Sequence, residues 1–182
     1  SNLLFRSLLY FWNRDPAGRP LLALLCAYAR DSILRSTAEC VLKFPVSAVV
    51  SRGAMEDWIN SKEPGRFSEA TLKSTAQNVN ATWTKSGHLE GRAKKIRARA
   101  AATSGSASYA LLLGYLTGER GRALFQTDYA KVLESSPEKT IELAEEASRK
   151  GWIVFKRIGD VIEVLFPNLI NQEEMEWLRE QN

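Results

Sequence analysis

The fold turns on one passage. It runs Ser68-Glu69-Ala70-Thr71-Leu72-Lys73-Ser74-Thr75-Ala76-Gln77-Asn78-Val79-Asn80-Ala81-Thr82-Trp83-Thr84-Lys85-Ser86-Gly87 and continues through His88-Leu89-Glu90-Gly91 into Arg92-Ala93-Lys94-Lys95-Ile96-Arg97-Ala98-Arg99-Ala100. Ser68 is a residue type that caps a helix N-terminus, and Glu69 suits the first turn, where a carboxylate meets the positive end of the helix dipole. Leu72, Ala76, Val79 and Trp83 recur at steps of four, three and four, which is one apolar helical stripe. Gly87 supplies the left-handed residue that ends such a helix.

The opposite face of this helix offers Lys73, Ser74, Gln77, Asn78, Asn80 and Lys85, and no acid follows Glu69. Amides and hydroxyls pair with base edges or phosphates, and lysine pairs with phosphate. If Arg92–Ala100 is extended, alternation puts Lys95, Arg97 and Arg99 on one side and Ile96, Ala98 and Ala100 on the other. An apolar underside with a cationic outer row is what a phosphate-tracking wing needs. The expected nucleic-acid contacts are therefore Lys73, Ser74, Gln77, Asn78 and Lys85 on the helix. Arg92, Lys94, Lys95, Arg97 and Arg99 complete the set on the basic segment.

Upstream of this passage, helices are expected over Leu3–Trp12, from Pro20 to Arg30, and from Ser32 to Lys43 with Ile33, Thr37, Cys40 and Val41 on its stripe. A short helix holding Trp58 is expected around Ala54–Asn60, before the Glu63-Pro64-Gly65 turn. Downstream, Ser104-Gly105-Ser106 reads as a loop before a helix from Tyr109 to Leu116. Thr127 caps a short helix. Ser136-Pro137 opens another, cap followed by first-turn proline, with Ile141, Ala144 and Ala147 buried. Trp152–Ile158 and Val161–Phe166 flank Gly159-Asp160, a hairpin whose register sets Lys156 opposite Glu163. Asn171, with Glu174 three residues on, caps a final helix carrying Met175 and Leu178.

Two stretches share a layout: Ser68…Gly87-His88-Leu89 and Ser136…Gly151-Trp152-Ile153 are each a capped helix, a glycine stop and an entry into a strand. Helix, short helix, helix and hairpin is the order of a winged helix-turn-helix. The expected fold is mainly α with short β-hairpins, a helical N-terminal scaffold followed by tandem winged helix-turn-helix-like modules. The segments are residues 1–60 for the scaffold, 61–104 for the first module with its basic wing, and 105–182 for the second with the terminal helix. The second module exposes Glu142, Glu145 and Glu146 where the first exposes lysine and amides, so it suits a protein partner better than a phosphate backbone.

Charge follows the same division. Residues 131–182 carry 7 Lys/Arg against 11 Asp/Glu, and residues 1–130 carry 18 against 10. The apolar share of 45% and charged share of 25% are those of a folded domain. Cys26 and Cys40 show no metal spacing and read as buried thiols in a reducing, cytoplasmic setting. Leu21–Ala29 is too short to cross a bilayer, which takes about 20 residues. His88 is the sole histidine, so no paired-imidazole site can form, and it reads as structural, with a phosphate contact near the wing as the alternative. No phosphate-binding glycine loop occurs, and the five tryptophans read as core. No catalytic residue, metal or cofactor is expected, and the protein is read as no enzyme. The chain begins Ser1-Asn2 without Met, which reads as a tag remnant or a start inside a longer chain.

Three passages carry a resemblance to a known family. They are the apolar helix ending Tyr28-Ala29-Arg30-Asp31, the Ser68-Glu69-Ala70-Thr71-Leu72…Gly87-His88-Leu89 helix and turn, and the closing Gly159-Asp160-Val161-Ile162-Glu163-Val164-Leu165-Phe166-Pro167. In these the chain resembles the BrxA family of the BREX bacteriophage-exclusion systems. The resemblance implies a bacterial, helical, winged-helix protein that binds double-stranded DNA without catalysis, as an accessory of antiviral defence. It also implies a further helical segment before Ser1, and it transfers no individual residue. Two other readings stand beside it: an adaptor docking a protein through Glu142, Glu145 and Glu146, and an RNA-binding winged-helix protein.

Overall fold

Caps and apolar stripes account for most helices of the computed structural model, which describes residues 2–182. The architecture is mainly helical with two small antiparallel sheets. The chain divides into two units, residues 2–26 with 101–182, and residues 27–100. This differs from the expected three segments. The first unit is built from both ends of the chain, and the second is the stretch between them, so a cut at residue 60 would run through its interior.

The outer unit holds α1 (Asn2–Arg14), the start of α2 (Arg19–Arg30), α6 (Ser104–Leu116), α7 (Asp128–Lys131), α8 (Pro137–Arg149), β4 (Val154–Ile158), β5 (Val161–Leu165) and α9 (Gln172–Gln181). Its centre is α6, buried from Ser104 through Tyr115 and apolar on every side, as a helix enclosed by others must be. The Ser104-Gly105-Ser106 stretch, expected as a loop, is its first turn. Thr103 caps it: its hydroxyl accepts from Ser106 N–H at 3.2 Å, and the Ser106 hydroxyl accepts in return from Thr103 N–H at 2.8 Å. Asp15 adds a third acceptor, taking the Gly105 N–H at 2.8 Å. Small residues there signalled close packing rather than a turn.

The β4–β5 hairpin has the expected register, with Lys156 opposite Glu163 and Phe155 opposite Val164, and Gly159 at φ +58°. Ile153, Val164 and Phe166 are buried beneath it. Asn171 accepts from Glu174 N–H at 2.8 Å, capping α9 as its spacing predicts. Trp177 on α9 is 58% exposed, so the expectation that every tryptophan is core fails at this position.

The inner unit runs from the end of α2 through α3 (Ser32–Lys43), β1 (Val49–Val50), α4 (Arg52–Lys62), α5 (Glu69–Lys85), β2 (Leu89–Glu90) and β3 (Lys95–Arg97). Its sheet has the order β1-β3-β2, antiparallel throughout. Ser68 accepts from Thr71 N–H at 3.2 Å and starts α5; Gly87, at φ +92°, ends it. Ala76, Val79 and Trp83 are buried and Leu72 is half-buried, as the stripe predicts. The Trp83 indole donates to Thr37 Oγ1 at 2.9 Å, and that of Trp58 to Ser36 O at 2.7 Å, so both rings pin helices to α3. Cys26 and Cys40 are buried free thiols, and burial pushes the Cys40 pKa up.

Gly105 gives the sharpest test of this packing. A Cβ there would lie 2.5 Å from Asp15 Oδ2. Gly105→Ala, which in an open helix gains about 1 kcal/mol from propensity, is expected to lower the thermal midpoint; a higher midpoint would contradict the placement of Asp15.

Candidate nucleic-acid interface

All ten sequence-derived site residues lie in the inner unit, on α5 and on the segment that follows it. This unit holds 13 Lys/Arg against seven Asp/Glu, a net charge of +6, so the chain's basicity is concentrated in it. Lys73, Ser74, Gln77, Asn78 and Lys85 are exposed on α5. Lys73, Gln77 and Ala81 follow one another at steps of four and form one ridge; Ser74 and Asn78 lie on the next.

The basic segment departs from expectation. It is not a nine-residue strand: only Lys95–Arg97 pairs as β3. Before it, Gly91 at φ +101° turns the chain so tightly that a Cβ would strike the Lys94 carbonyl, and this turn carries exposed Arg92, Ala93 and Lys94. Lys95 is half-buried and folds its ammonium back onto Gly91 O at 2.7 Å. Arg99 is exposed beyond the strand, while Ala98 and Ala100 are buried as predicted.

Arg97 is not on the outer row. It is 3% exposed. Its Nε donates to Val41 O in the last turn of α3 at 2.9 Å, and Nη1 donates to His88 O at 3.2 Å and to Ala98 O. Alternation fails because the strand ends at Arg97, so Arg97 and Ala98 both turn inward before Arg99 turns out. Burial, with Arg99 beside it, lowers the Arg97 pKa from the usual arginine value. Its charge complements the negative end of α3. His88 is buried next to it, with Nδ1 2.7 Å from Ser86 Oγ and its ring edge-to-face with Trp83, so it is structural as expected.

A groove of about 570 Å³ runs between α5 and the turn, lined by Gln77, Asn80, Ala81, Arg92, Ala93, Lys95 and Arg52. It therefore gathers Gln77, Arg92 and Lys95 from the expected set, and leaves Lys73, Ser74, Asn78, Lys85, Lys94 and Arg99 outside its lining. Among the described residues no carboxylate lines it. Among the described residues, Lys73, Lys85, Arg92, Lys94, Lys95 and Arg99 take part in no ion pair.

Of the other polar lining residues, one carries no signal in the sequence that would single it out and the other departs from its expected outward face. Arg52, at the start of α4, lies about forty residues upstream of the turn, just before a stretch whose pattern announces only a helix. Asn80 belongs by spacing to the outward face but is 4% exposed. It follows Ala76 by four residues and Val79 by one, which puts it at the margin of the buried stripe.

The acidic surface of the outer unit is thinner than its sequence implied. Glu142 pairs with Lys139 at 3.5 Å, Glu146 pairs with Lys150 at 2.9 Å, and Glu145 is half-buried. The Lys150 hydrogen bond, then one from Ser104, lowers the Glu146 pKa. Among the described residues no group of three or more His, Cys, Asp or Glu could hold a metal ion, and no helix is long and apolar enough to cross a membrane.

No protein-family model, curated protein or solved structure matches this chain.

The two arginines flanking Ala98 should behave oppositely. Arg97→Met removes the donor from three carbonyls and is expected to lower unfolding free energy by about 2–3 kcal/mol. Arg99→Ala, at an exposed position, is expected to stay within about 0.5 kcal/mol of the parent. Denaturant titrations check this, and equal losses in both variants would refute the assignment.

Proposed function

We propose that the inner unit binds double-stranded DNA without catalysis, through the outward face of α5 and the basic turn between β2 and β3. The observation that carries the reading is the groove between α5 and the turn, whose lining among the described residues includes Arg52, Arg92 and Lys95 and no carboxylate, Glu56 standing outside it in an exposed pair with Arg52. Duplex DNA carries one charge per about 1.7 Å, so a cationic surface free of acids is what its backbone selects. Polar α5 side chains, Gln77 and Asn78 above all, then meet base edges, where amides can form two hydrogen bonds to adenine.

The element order supports a winged helix-turn-helix reading. From α3 through β1, α4 and α5 to β2 and β3, the unit has two helices leading into a third, followed by a hairpin. In that reading α5 is the recognition helix and Gly91–Lys94 the tip of the wing. The proposed module is then residues 27–100 rather than 61–104, because α3 and β1 belong to it. The outer unit has a related order, α6, α7, α8 and the β4–β5 hairpin, without the basic face.

The adaptor reading has less behind it, since Glu142 and Glu146 are already paired along α8. The proposed setting, a bacterial phage-exclusion locus, rests on the three passages resembling the BrxA family. The DNA reading stands on the groove independently of it.

Association should weaken steeply with salt as neutralised phosphates regain counterions. Replacing Arg92, Lys94 and Arg99 together by alanine is expected to reduce the slope of log K against log salt by about one for each phosphate left without its cation, with the fold intact. Fluorescence anisotropy of a labelled duplex at several salt concentrations reads this. An unchanged slope and affinity in the triple variant would sink the proposal.

A further inference from the structure

The DNA reading leaves one feature of the groove unexplained. Asn80 is 4% exposed on its wall, and its side-chain Oδ1 is enclosed without a hydrogen-bond donor. A buried carbonyl oxygen without a donor is a standing cost, which a donor on a bound ligand would relieve. Leucine, of nearly the same size and shape, would remove that cost at this margin of the apolar stripe. The cations around Asn80 point the same way. Arg92 rises from the turn, Lys95 from β3 and Arg52 from α4. Among the described residues Arg52 is held only by an exposed ion pair with Glu56 at 3.7 Å, weak enough for a phosphate to displace. The groove volume falls within the range of small-ligand sites, about 300–1,000 Å³.

We infer that this groove seats one nucleotide of the bound strand, Arg52, Arg92 and Lys95 holding its phosphate and the Asn80 amide turning out of the wall so that Oδ1 accepts a hydrogen from a donor on the same nucleotide. This rests on the nucleic-acid reading and adds a position at which the protein reads more than charge. A nucleotide offers such a donor in two places. One is an exocyclic amino group on the base edge, and the other is the ribose 2′-hydroxyl, which only RNA has.

Asn80→Leu tests the inference, with binding to a DNA duplex and to an RNA duplex of the same sequence and unfolding followed in parallel. The variant is expected to unfold at or above the parent's midpoint while binding about tenfold more weakly, the worth of one well-placed hydrogen bond to a ligand. Weaker binding to both duplexes assigns the donor to a base amino group, and weaker binding to RNA alone assigns it to the ribose. Unchanged affinity for both duplexes overturns the inference and leaves the DNA reading standing. A parent that binds neither duplex removes that reading itself. Arg52→Gln, at an exposed position, is the second variant should Asn80→Leu not fold. It is expected to lower the salt slope by about one, and an unchanged slope excludes Arg52 from the phosphate grip.

Discussion

The inner unit depends on one buried guanidinium. Arg97 reaches from β3 to the last turn of α3 and to the carbonyls of His88 and Ala98, so a single side chain joins a helix end, the chain leaving α5 and the strand after the turn. Backbone carbonyls at a helix C-terminus need partners, and a charged donor satisfies them more strongly than a neutral one. The neighbouring contacts reinforce the same join: Arg97 N–H donates to Ala48 O, Arg97 O accepts from Ser47 N–H, and His88 O accepts from Ala98 N–H, each at 2.8 Å. The Trp83 ring closes over His88 from α5. With that end fixed, the Gly91–Lys94 turn is held beside α5, and the groove between them has a defined width.

A division of labour among cations follows. Arg97 uses its charge inside the protein, while Arg92, Lys94 and Arg99 remain in solvent. Treating the basic run as one row would count a structural residue among the proposed phosphate contacts. The outer unit is arranged differently: its net charge is −2, and its helices pair their own charges along the surface, as Lys139 with Glu142 and Lys150 with Glu146. Segregation of charge between the two units, more than the modest total of +4, supports a polyanionic partner for the inner one.

Much of the architecture was legible because local rules set it. Ser68, Thr127, Ser136 and Asn171 each cap the helix that their position predicts, with side-chain oxygens accepting backbone N–H groups. The Lys156–Glu163 register follows from a two-residue turn. What local rules do not carry is which distant segments meet. The contact of Asp15 with Gly105 turns a serine- and glycine-rich stretch from an apparent loop into a helix start across ninety residues. Arg52 joins the groove by folding of α4 against α5, with no motif to announce it. Asn80 sits one residue past a buried valine, where helical spacing alone leaves the side chain's environment open. The outline of the proposed binding face can be drawn from the sequence, while the groove within it is set by tertiary contacts.

If DNA lies on the inner unit across α5 and the turn, the lysines of that surface must lose access to solvent when it binds. Lysine acetylation footprinting at saturating duplex DNA addresses this directly, because reagent access reports each ammonium separately. Protection is expected at Lys73, Lys85, Lys94 and Lys95, with Lys139, Lys150 and Lys156 labelled as in the free protein. Protection confined to the outer-unit lysines, or none anywhere when the duplex is bound, would contradict the placement of DNA on α5 and the turn.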